Sequence, residues 1–515
     1  MLLHDFLDFH ARDNGAVDCV LQENRTLNYA QMFERVNRLA NALVKAGLGV
    51  GDRFALLSKN SIEMVMIYLA ASRVGAVSVP LNWRLAATEW AYIIDNADAK
   101  LIIAESEFCS GIDSVREKLP SVSLAIAVGL QSQDEDWIDF NAWWEASPAT
   151  ALRSNICEDD VLYQMYTSGT TGRPKGAMLT HRSVLSNSIQ CMPFFSGKLQ
   201  VGKRALIVMP MFHAGGASTV FGALIAGATL VIHSDFSPIR LAEALSGQRI
   251  DLVNLVPAMI QAMLVHVPDL KDRDFSNLEV IIYGASAIAE DTLRRAMDIF
   301  QCDFYQGYGQ TESSAGLAFL TAEDHRRALE SQPGLLLSAG RAMVGTQLRI
   351  VSRDGDELPM GEVGEIIASG PQLMKGYWKM PEANAAALVD GWLYTGDAAY
   401  MDEDGYIYIQ DRIKDMVVSG GENIYPSEIE NVLVDHPAIT DAAVIGVPDA
   451  KFGEALLAVL VLRDGEKLEA EEIITFCRSQ LGGYKVPRLF TFVEELPRNA
   501  SGKVLKKVLR APYRN

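Results

Sequence analysis

The sequence predicts an α/β protein with a large N-terminal domain of mostly parallel sheets, flanking helices and a small β-rich subdomain, followed by a small, mobile α+β domain. Three observations lead to this prediction. The chain of 515 residues is too long for a single hydrophobic core. Up to Gly340, short apolar strands alternate with amphipathic helices, which is typical of parallel sheets covered on both faces. Beyond Gly340, shorter strands are separated by turn-rich segments.

The alternating part begins with a helix for which Asn28 is the predicted N-cap and Gly47 the predicted stop. In parallel sheets ligands bind at the carboxyl ends of the strands. The segments 209–216, 283–287 and 308–312 occupy such positions and are candidate ligand-binding segments. The elements predicted in this part are a helix over 62–74 and strands over 54–57, 77–80, 101–104, 124–128, 161–166, 177–179, 205–209, 229–232, 252–256 and 280–283.

A domain boundary is predicted at 411–414. It divides the chain into an N-terminal domain of residues 1–411 and a C-terminal domain of residues 412–515, with a hinge near Lys414. The elements predicted on the two sides are strands over 348–351, 363–368 and 406–409 before the boundary, and helices over 427–434 and 470–481 with strands over 442–445, 457–461 and 489–492 after it.

Charge and cysteine content limit the classes of function. The formal net charge is −19 and the pI is near 4.9, so the overall field repels nucleic acid and anionic membranes. The six cysteines are scattered without metal-ligand spacing, as in a reducing compartment. The N-terminus lacks the pattern of a signal peptide and no window reaches the length of a membrane span, so we predict a cytoplasmic protein without a transmembrane segment. The sequence does not determine the oligomeric state, for which an isologous homodimer is only the base-rate expectation.

The segment 166–176, YTSGTTGRPKG, is a candidate polyphosphate-binding loop between two predicted strands. Its glycines can turn backbone N–H groups toward an anion, its hydroxyls can donate hydrogen bonds, and its cations can neutralise charge. The spacing differs from that of a Walker loop. The alternative is a flexible surface turn, which seldom carries an Arg-Pro-Lys cluster between apolar strands. The residues concerned are Thr167, Ser168, Gly169, Thr170, Thr171, Gly172, Arg173, Lys175 and Gly176.

Four further segments contain groups suited to a nucleotide. YGQTE offers Tyr308 to stack on a base and Glu312 to hold Mg²⁺ beside phosphates. YTGD ends in Asp397, which can accept hydrogen bonds from ribose hydroxyls. DRIKD and NASGK supply Arg412 and Lys503. Taken one at a time, each residue also has a purely structural explanation, as a core aromatic, a turn carboxylate or a solvated cation.

In this order, the segments YTSGTTGRPKG, YGQTE, YTGD, DRIKDMVVSGGENIYP and PRNASGK closely resemble the motifs of the adenylate-forming (AMP-binding) enzymes, and among them the acyl-CoA synthetases such as fatty-acid–CoA ligases. The resemblance runs over essentially the full chain. It implies an acid–thiol ligase: a carboxylate attacks the α-phosphorus of ATP, giving an acyl-adenylate and pyrophosphate, and the thiol of coenzyme A then displaces AMP. Such transfers depend on positioning and charge neutralisation.

The resemblance also implies roles for individual residues. Lys503 would contact the reacting carboxylate and the α-phosphate, and Glu312 would bind Mg²⁺. The C-terminal domain would rotate about Lys414 between the two steps and bring a glycine turn to the site for thioester formation. The other implied contacts are with phosphates (Thr167, Ser168, Gly169, Thr170, Thr171, Gly172, Lys175), with adenine (Tyr308, Gly284, Ala285, beside Gly309 and Thr311), with ribose (Asp397, Arg412) and in the turn itself (Ser419, Gly420, Gly421).

By the same resemblance, the acyl pocket is walled by Phe212, His213, Gly216, Gly284, Gly307 and Gly316, and the glycines are expected to make room. His213 joins Lys503, Glu312 and Lys175 in the candidate catalytic set, as a gate or wall residue. Amino-acid-activating relatives carry an aspartate at the position of His213, and no acid stands nearby here, so the substrate should lack an α-amino group. Medium- or long-chain fatty acids are the first expectation, and aromatic or alicyclic carboxylates are the alternative.

Three other functions are alternatives to an acyl-CoA ligase. An adenylating enzyme could load the pantetheine of a carrier protein, although no carrier-like domain is present in this sequence. Luciferase-type oxidation receives no support from the C-terminal residues, which are not the peroxisomal signal SKL. A nucleotide-binding regulator without catalysis would leave Lys503, Glu312 and the glycine loop unexplained.

Overall fold

The computed structural model describes residues 1–130, 136–152, 155–167, 174–286, 288, 290–419, 422–449, 452–498 and 504–513. The side chains of Lys414, Glu422 and Asn423 also lie outside the described part.

One large sheet carries the flanks of the candidate phosphate loop. The six strands from Val161–Thr167 to Ile138–Asp139 pair in parallel. The hairpin on the other side of Val161–Thr167 is antiparallel and places Thr167 opposite Lys175. The residues that flank the loop, Thr167 and Lys175, therefore lie at the carboxyl end of the strand Val161–Thr167. In spatial order the eight strands described are Gly376–Tyr377, Lys175–Thr180, Val161–Thr167, Val77–Pro80, Arg53–Leu57, Leu101–Glu105, Leu124–Val128 and Ile138–Asp139.

A second large sheet carries the segments with Gly284 and Tyr308. Its central strands are parallel, and Gly284 pairs with Gly307 at their carboxyl ends. A hairpin near the N-terminus extends this sheet through parallel pairing with Thr229–Ile232. In spatial order the nine strands described are Arg341–Ala342, Ala318–Leu320, Asp303–Tyr308, Val280–Gly284, Leu252–Leu255, Arg204–Ile207, Thr229–Ile232, Asp18–Gln22 and Arg25–Asn28.

Helices cover the faces of both large sheets. The helix Ile62–Val74 is buried along nearly its whole length, because its side chains join one hydrophobic core with residues from both sheets. The predicted cap Asn28 is confirmed, because its side chain accepts a hydrogen bond from the backbone N–H of Gln31. Thr180 caps the helix His181–Cys191 in the same way, through the backbone N–H of Ser183. The helices of the described chain are Leu3–Asp13, Tyr29–Lys45, Ile62–Val74, Ala87–Asn96, Ser106–Asp113, Phe140–Glu145, His181–Cys191, Ala214–Ala226, Pro238–Gly247, Pro257–His266, Glu290–Phe300, Ala322–Glu330, Pro381–Ala387, Pro426–Val434, Ala470–Arg478 and Lys506–Arg510.

Within these ranges, no helix is both long enough and apolar enough to cross a lipid bilayer.

A small antiparallel sheet follows, as the shorter strands beyond Gly340 predict. It brings Asp397 opposite Arg412 on neighbouring strands, so Asp397 is a strand residue and not a turn acid. Its strands are Gln347–Val351, Gly364–Ser369, Trp392–Met401 and Leu388–Val389, with Ile407–Arg412 paired to Trp392–Met401.

The C-terminal region is a small α+β unit with its own apolar core, which confirms the predicted fold class. Its long central hairpin extends well beyond the strands predicted at 442–445 and 457–461, since Pro448 and Gly446 lie inside a strand. The helices Pro426–Val434 and Ala470–Arg478 pack on this sheet. Its strands are Glu422–Ile424, Val417–Ser419, Gly453–Leu462, Ile439–Asp449 and Leu489–Phe492.

Candidate functional site

A buried carboxylate lies at the centre of the candidate site. Asp397 is 5% exposed, and its Oδ1 is 2.6 Å from Nε of Arg412. The hydroxyl of Tyr308 donates to Oδ2 of Asp397 at 2.8 Å. Burial raises the pKa of Tyr308, and the neighbouring carboxylate of Asp397 raises it further, so the phenol stays a donor. The structure thus brings together three residues that the sequence predicted for adenine and ribose.

The strand Val280–Gly284 ends where its backbone packs closely against the neighbouring strand that carries Tyr308. A Cβ on Gly284 would lie 2.3 Å from the carbonyl oxygen of Gly307, so only glycine fits this close approach. Ala285 follows with φ of 68°, in the left-handed region that non-glycine residues rarely adopt. Such strain is concentrated at functional sites, and here it turns the chain away from the sheet next to the predicted adenine position.

The turn after Tyr308 is equally tight. A Cβ on Gly309 would lie 2.0 Å from the carbonyl oxygen of Ala315. Thr311 and Glu312 form a short 3₁₀ turn, 311–313, in which Glu312 is buried. The turn therefore holds the predicted metal ligand close to the end of the strand that carries Tyr308.

We expect Gly309→Ala to destabilise the protein by about 1–3 kcal/mol, because the added methyl group has to displace backbone and not a flexible side chain. Thermal unfolding would measure the loss. Gly334→Ala is the matched control, since a Cβ there meets no atom within 4 Å. Equal unfolding temperatures for the two variants would contradict the close approach of Gly309 to Ala315.

Tyr377 connects Glu312 with the phosphate-loop lysine. Its hydroxyl donates to Oε1 of Glu312 at 2.7 Å. Nζ of Lys175 lies 4.9 Å from the centroid of its ring. The backbone N–H of Met374 also donates to the carbonyl oxygen of Glu312 at 2.8 Å. Sequence reasoning missed Tyr377, because an aromatic residue between Gly376 and a tryptophan carries no signal of its own.

The donor set around Glu312 fits a magnesium nucleotide better than a metal centre made by protein alone. In the described ranges, no three His, Cys, Asp or Glu side chains cluster as metal ligands. Mg²⁺ in nucleotide sites is commonly held by one or two carboxylates together with substrate phosphates. A single buried Glu312, connected through Tyr377 with Lys175 at one flank of the loop, matches that pattern.

His213 lies at the N-cap position of the helix Ala214–Ala226. Burial, with the charge of Arg84, lowers the pKa of His213 to about 4. The ring centroids of His213 and Phe212 are 4.5 Å apart, and within the described chain Nε2 of His213 is buried without a hydrogen-bond partner. A neutral imidazole suits the predicted role of a wall residue with one polar atom left for a ligand.

Two of the pocket glycines do not make room for a substrate. The Cβ position of Gly216 lies 2.2 Å from the carbonyl oxygen of Pro210, and that of Gly284 points at Gly307. These two glycines permit close packing of backbone on backbone. The expectation that they widen the pocket is therefore corrected.

Gly307 and Gly316 face side chains instead. The Cβ position of Gly307 is 3.6 Å from the ring of Phe319, and that of Gly316 is 2.9 Å from the sulfur of Met343. Phe319 stacks on Phe194 with ring centroids 5.0 Å apart. The stacked rings of Phe319 and Phe194 thus form the side of the predicted acyl pocket that faces Gly307.

Several predicted residues lie outside the described part: Ser168, Gly169, Thr170, Thr171, Gly172, Arg173, Gly420, Gly421, Lys503 and the side chain of Lys414. The structure does describe the residues that flank two of these segments. Thr167 and Lys175 face each other across the hairpin, and Ser419 pairs with Glu422 across the next one.

Comparison with known proteins identifies the family. The AMP-binding enzyme family matches residues 7–378, and the AMP-binding enzyme C-terminal domain matches residues 428–503.

The chain belongs to the AMP-binding enzyme family.

Its curated relatives act on different acids. The chain is 37% identical to the fatty acid–[acyl-carrier-protein] ligase ScoC of Streptomyces coeruleorubidus, over 98% of this chain and 94% of the relative. It is 38% identical to a feruloyl-CoA synthase of an Amycolatopsis species, over 98% and 97%. It is 36% identical to a long-chain-fatty-acid–CoA ligase of Mycobacterium tuberculosis, over 95% and 93%.

Solved structures agree over the full length. The ATP-bound MatB of Rhodopseudomonas palustris matches with a TM-score of 0.89 and 30% identity, over 100% of this chain and 99% of that one. The o-succinylbenzoate-CoA synthetase of Bacillus subtilis with its acyl-adenylate intermediate matches with a TM-score of 0.86 and 30% identity, over 98% and 97%.

These comparisons confirm the resemblance to adenylate-forming acyl-CoA synthetases and the α/β fold class. They also confirm the enzyme class: this AMP-binding enzyme is an AMP-forming acid–thiol ligase. ATP as a substrate and coenzyme A as a co-substrate are consistent with the family.

Proposed function

We propose that the protein is an ATP-dependent acyl-CoA ligase for a carboxylic acid without an α-amino group, with medium- or long-chain fatty acids as the first candidates. One observation carries the nucleotide half of this proposal. The buried Asp397, held by Arg412 and Tyr308, lies beside strand ends that approach each other too closely for any residue but glycine. In this arrangement the carboxylate can accept hydrogen bonds from the ribose hydroxyls, and the glycine backbone leaves the base free of side-chain obstruction.

The reaction has two steps. In the first, a carboxylate oxygen of the acid forms a bond to the α-phosphorus of ATP, and the bond from that phosphorus to the bridging oxygen breaks, so pyrophosphate leaves with the electron pair. In the second, the sulfur of coenzyme A attacks the acyl carbon after loss of its proton, and AMP leaves. Both steps require alignment and neutralisation of negative charge.

The residues of this chain supply that alignment. Lys175 and the loop from Thr167 bind the β- and γ-phosphates, and Asp397 and Arg412 hold the ribose. Lys503 carries its positive charge to the reacting carboxylate and α-phosphate. Mg²⁺ bound through Glu312 would neutralise the phosphates.

The acid is inferred from His213 and its surroundings. The imidazole is neutral and buried, so it offers a single hydrogen bond and no charge to a substrate ammonium group. A fatty-acid ligase and a long-chain-fatty-acid–CoA ligase are among the relatives. The feruloyl-CoA synthase, together with the aromatic wall at Phe319, favours an aromatic carboxylate as the second candidate.

A panel of fatty, aromatic and alicyclic acids, assayed for AMP formation with Mg-ATP in the presence and absence of coenzyme A, tests the proposal. Turnover that requires one class of acid and coenzyme A would support it and name the substrate. Adenylate that accumulates without acceleration by coenzyme A would transfer the acceptor role to a carrier protein, as in ScoC.

The domain boundary is part of the proposal. Residues 1–411 form the first domain and 412–515 the second, and the second rotates about Lys414 between the two steps. The cytoplasmic location and the isologous homodimer stay predictions from composition and base rates.

We expect Gly420→Leu to leave adenylate formation unchanged and to lower thioester formation at least about 10-fold, because a side chain on this turn would obstruct the pantetheine arm. Pyrophosphate release measures the first step, and acyl-CoA formed from a supplied acyl-adenylate measures the second. Val418→Leu, an exposed position two residues earlier, is the control. Equal loss of both half-reactions would refute the role of the turn.

A further inference from the structure

Tyr377 makes two contacts that join separate parts of the candidate site. Its hydroxyl donates to Oε1 of Glu312 at 2.7 Å, and the ammonium group of Lys175 lies 4.9 Å from its ring centroid. Glu312 lies on the 3₁₀ turn that joins two strands of the second large sheet, whereas Lys175 starts the outgoing strand of the phosphate-loop hairpin. One side chain therefore contacts both groups that are proposed to neutralise the ATP phosphates.

The backbone of Tyr377 is held rigidly. Its strand pairs with the outgoing strand of the hairpin, with Tyr377 opposite Ala177. The side chain of Asn384 accepts from the N–H of Tyr377 at 2.5 Å and donates to its carbonyl oxygen at 3.0 Å. The next residue, Trp378, donates its backbone N–H to the carbonyl oxygen of Gly176 at 2.8 Å. Such support fixes the direction of a side chain that has few rotamers.

The two contacts have different consequences. The hydroxyl engages one oxygen of the Glu312 carboxylate and so sets the orientation of the whole group, which controls how the carboxylate meets a metal ion. The ring face attracts the ammonium group of Lys175 and limits where that charge can lie.

We propose that Tyr377 is a positioning residue that orients Glu312 for the magnesium ion and Lys175 for the nucleotide phosphates. The proposal rests on the proposed function, since it assigns both groups to Mg-ATP. It predicts that the two contacts can be separated by substitution. Tyr377→Phe removes the hydroxyl and keeps the ring, whereas Tyr377→Leu removes both.

Equilibrium binding of ATP, measured by calorimetry without the acid substrate, distinguishes these contacts. With Mg²⁺ present, we expect Tyr377→Phe to bind ATP about 10-fold more weakly, because a hydrogen bond to a charged group is lost. With EDTA present, its affinity should equal that of the unmodified protein. Tyr377→Leu should bind ATP at least about 3-fold more weakly in EDTA as well, because it also removes the aromatic ring that attracts the ammonium group of Lys175.

Tyr406→Phe is the matched control. Tyr406 is also buried, and its hydroxyl donates to Oδ1 of Asp324, on the helix Ala322–Glu330, at 2.5 Å. This control should lose stability without losing affinity for ATP in either condition. In a Glu312→Gln background, Tyr377→Phe should cause no further loss of magnesium dependence, since the two residues act as one unit.

Three outcomes overturn the inference. Unchanged affinity of Tyr377→Phe with Mg²⁺ would mean that Glu312 needs no help from the hydroxyl. Equal losses with Mg²⁺ and with EDTA would reduce Tyr377 to a general structural role. No ATP binding by the unmodified protein in either condition would remove the proposed function itself, a result that differs from both of the others.

Discussion

Substitution of Lys503 by alanine is expected to lower adenylate formation about 10³-fold and to leave thioester formation from a supplied acyl-adenylate within about 3-fold of normal. The reason is that negative charge develops on the α-phosphate and pyrophosphate in the first step, and that the proposed rotation brings Lys503 to this charge in the first step only. A cation placed at that charge typically contributes about 10²–10³ or more to the rate. Release of pyrophosphate in the first turnover, and acyl-CoA formation from synthetic acyl-adenylate, are the two measurements.

Lys507→Ala is the control for this experiment. Lys507 is an exposed lysine on the helix Lys506–Arg510, four residues beyond Lys503, so its loss removes the same charge from the same segment. A normal pyrophosphate burst in Lys503→Ala would refute the role. A loss of both half-reactions would indicate damage to the C-terminal domain instead.

Ion pairs connect the segment that follows Lys503 with residues on both sides of the predicted hinge. Lys506 Nζ is 2.8 Å from Oε1 of Glu430 and 3.6 Å from Oδ2 of Asp411. Arg510 Nη1 is 2.8 Å from Oδ1 of Asp415. The acidic residues on both sides of Lys414 are thus engaged by the helix that follows Lys503. The proposed rotation about Lys414 would therefore also involve this segment.

The sequence predicted the parts of the fold that local patterns determine. The helix Ile62–Val74 and the strand Leu489–Phe492 have the predicted bounds, because apolar periodicity and flanking turn residues decide them. The hairpin Asp18–Gln22 and Arg25–Asn28 was not predicted. It joins the second sheet through contacts with Thr229–Ile232, about two hundred residues away, and such pairing leaves no local signal.

The residues of the candidate site were likewise predicted only in part. Glu312, Asp397 and Arg412 were found because they stand in recognisable motifs, and the structure places Asp397 and Arg412 in contact. Tyr377 was missed because its importance comes from which side chains it touches. Gly216 was interpreted wrongly because a glycine in a sequence does not reveal whether its missing side chain would face substrate or backbone.

The second large effect is expected for Asp397→Asn, which should weaken ATP binding about 10²-fold. The substitution keeps the shape of the side chain but replaces the carboxylate with a neutral amide. Two hydrogen bonds from ribose hydroxyls to a charged acceptor, at about 1.5 kcal/mol each, account for a loss of this size.

Comparison of ATP with 2′,3′-dideoxy-ATP makes this prediction specific to the ribose. The unmodified protein should prefer ATP, because Asp397 can accept from both ribose hydroxyls, and in Asp397→Asn that preference should largely disappear. Asp324→Asn is the control: it alters a buried carboxylate paired with Tyr406, and it should keep the preference. If Asp397→Asn still prefers ATP as strongly, the carboxylate serves only to hold Arg412 and Tyr308, and the ribose hydroxyls are bound by another group.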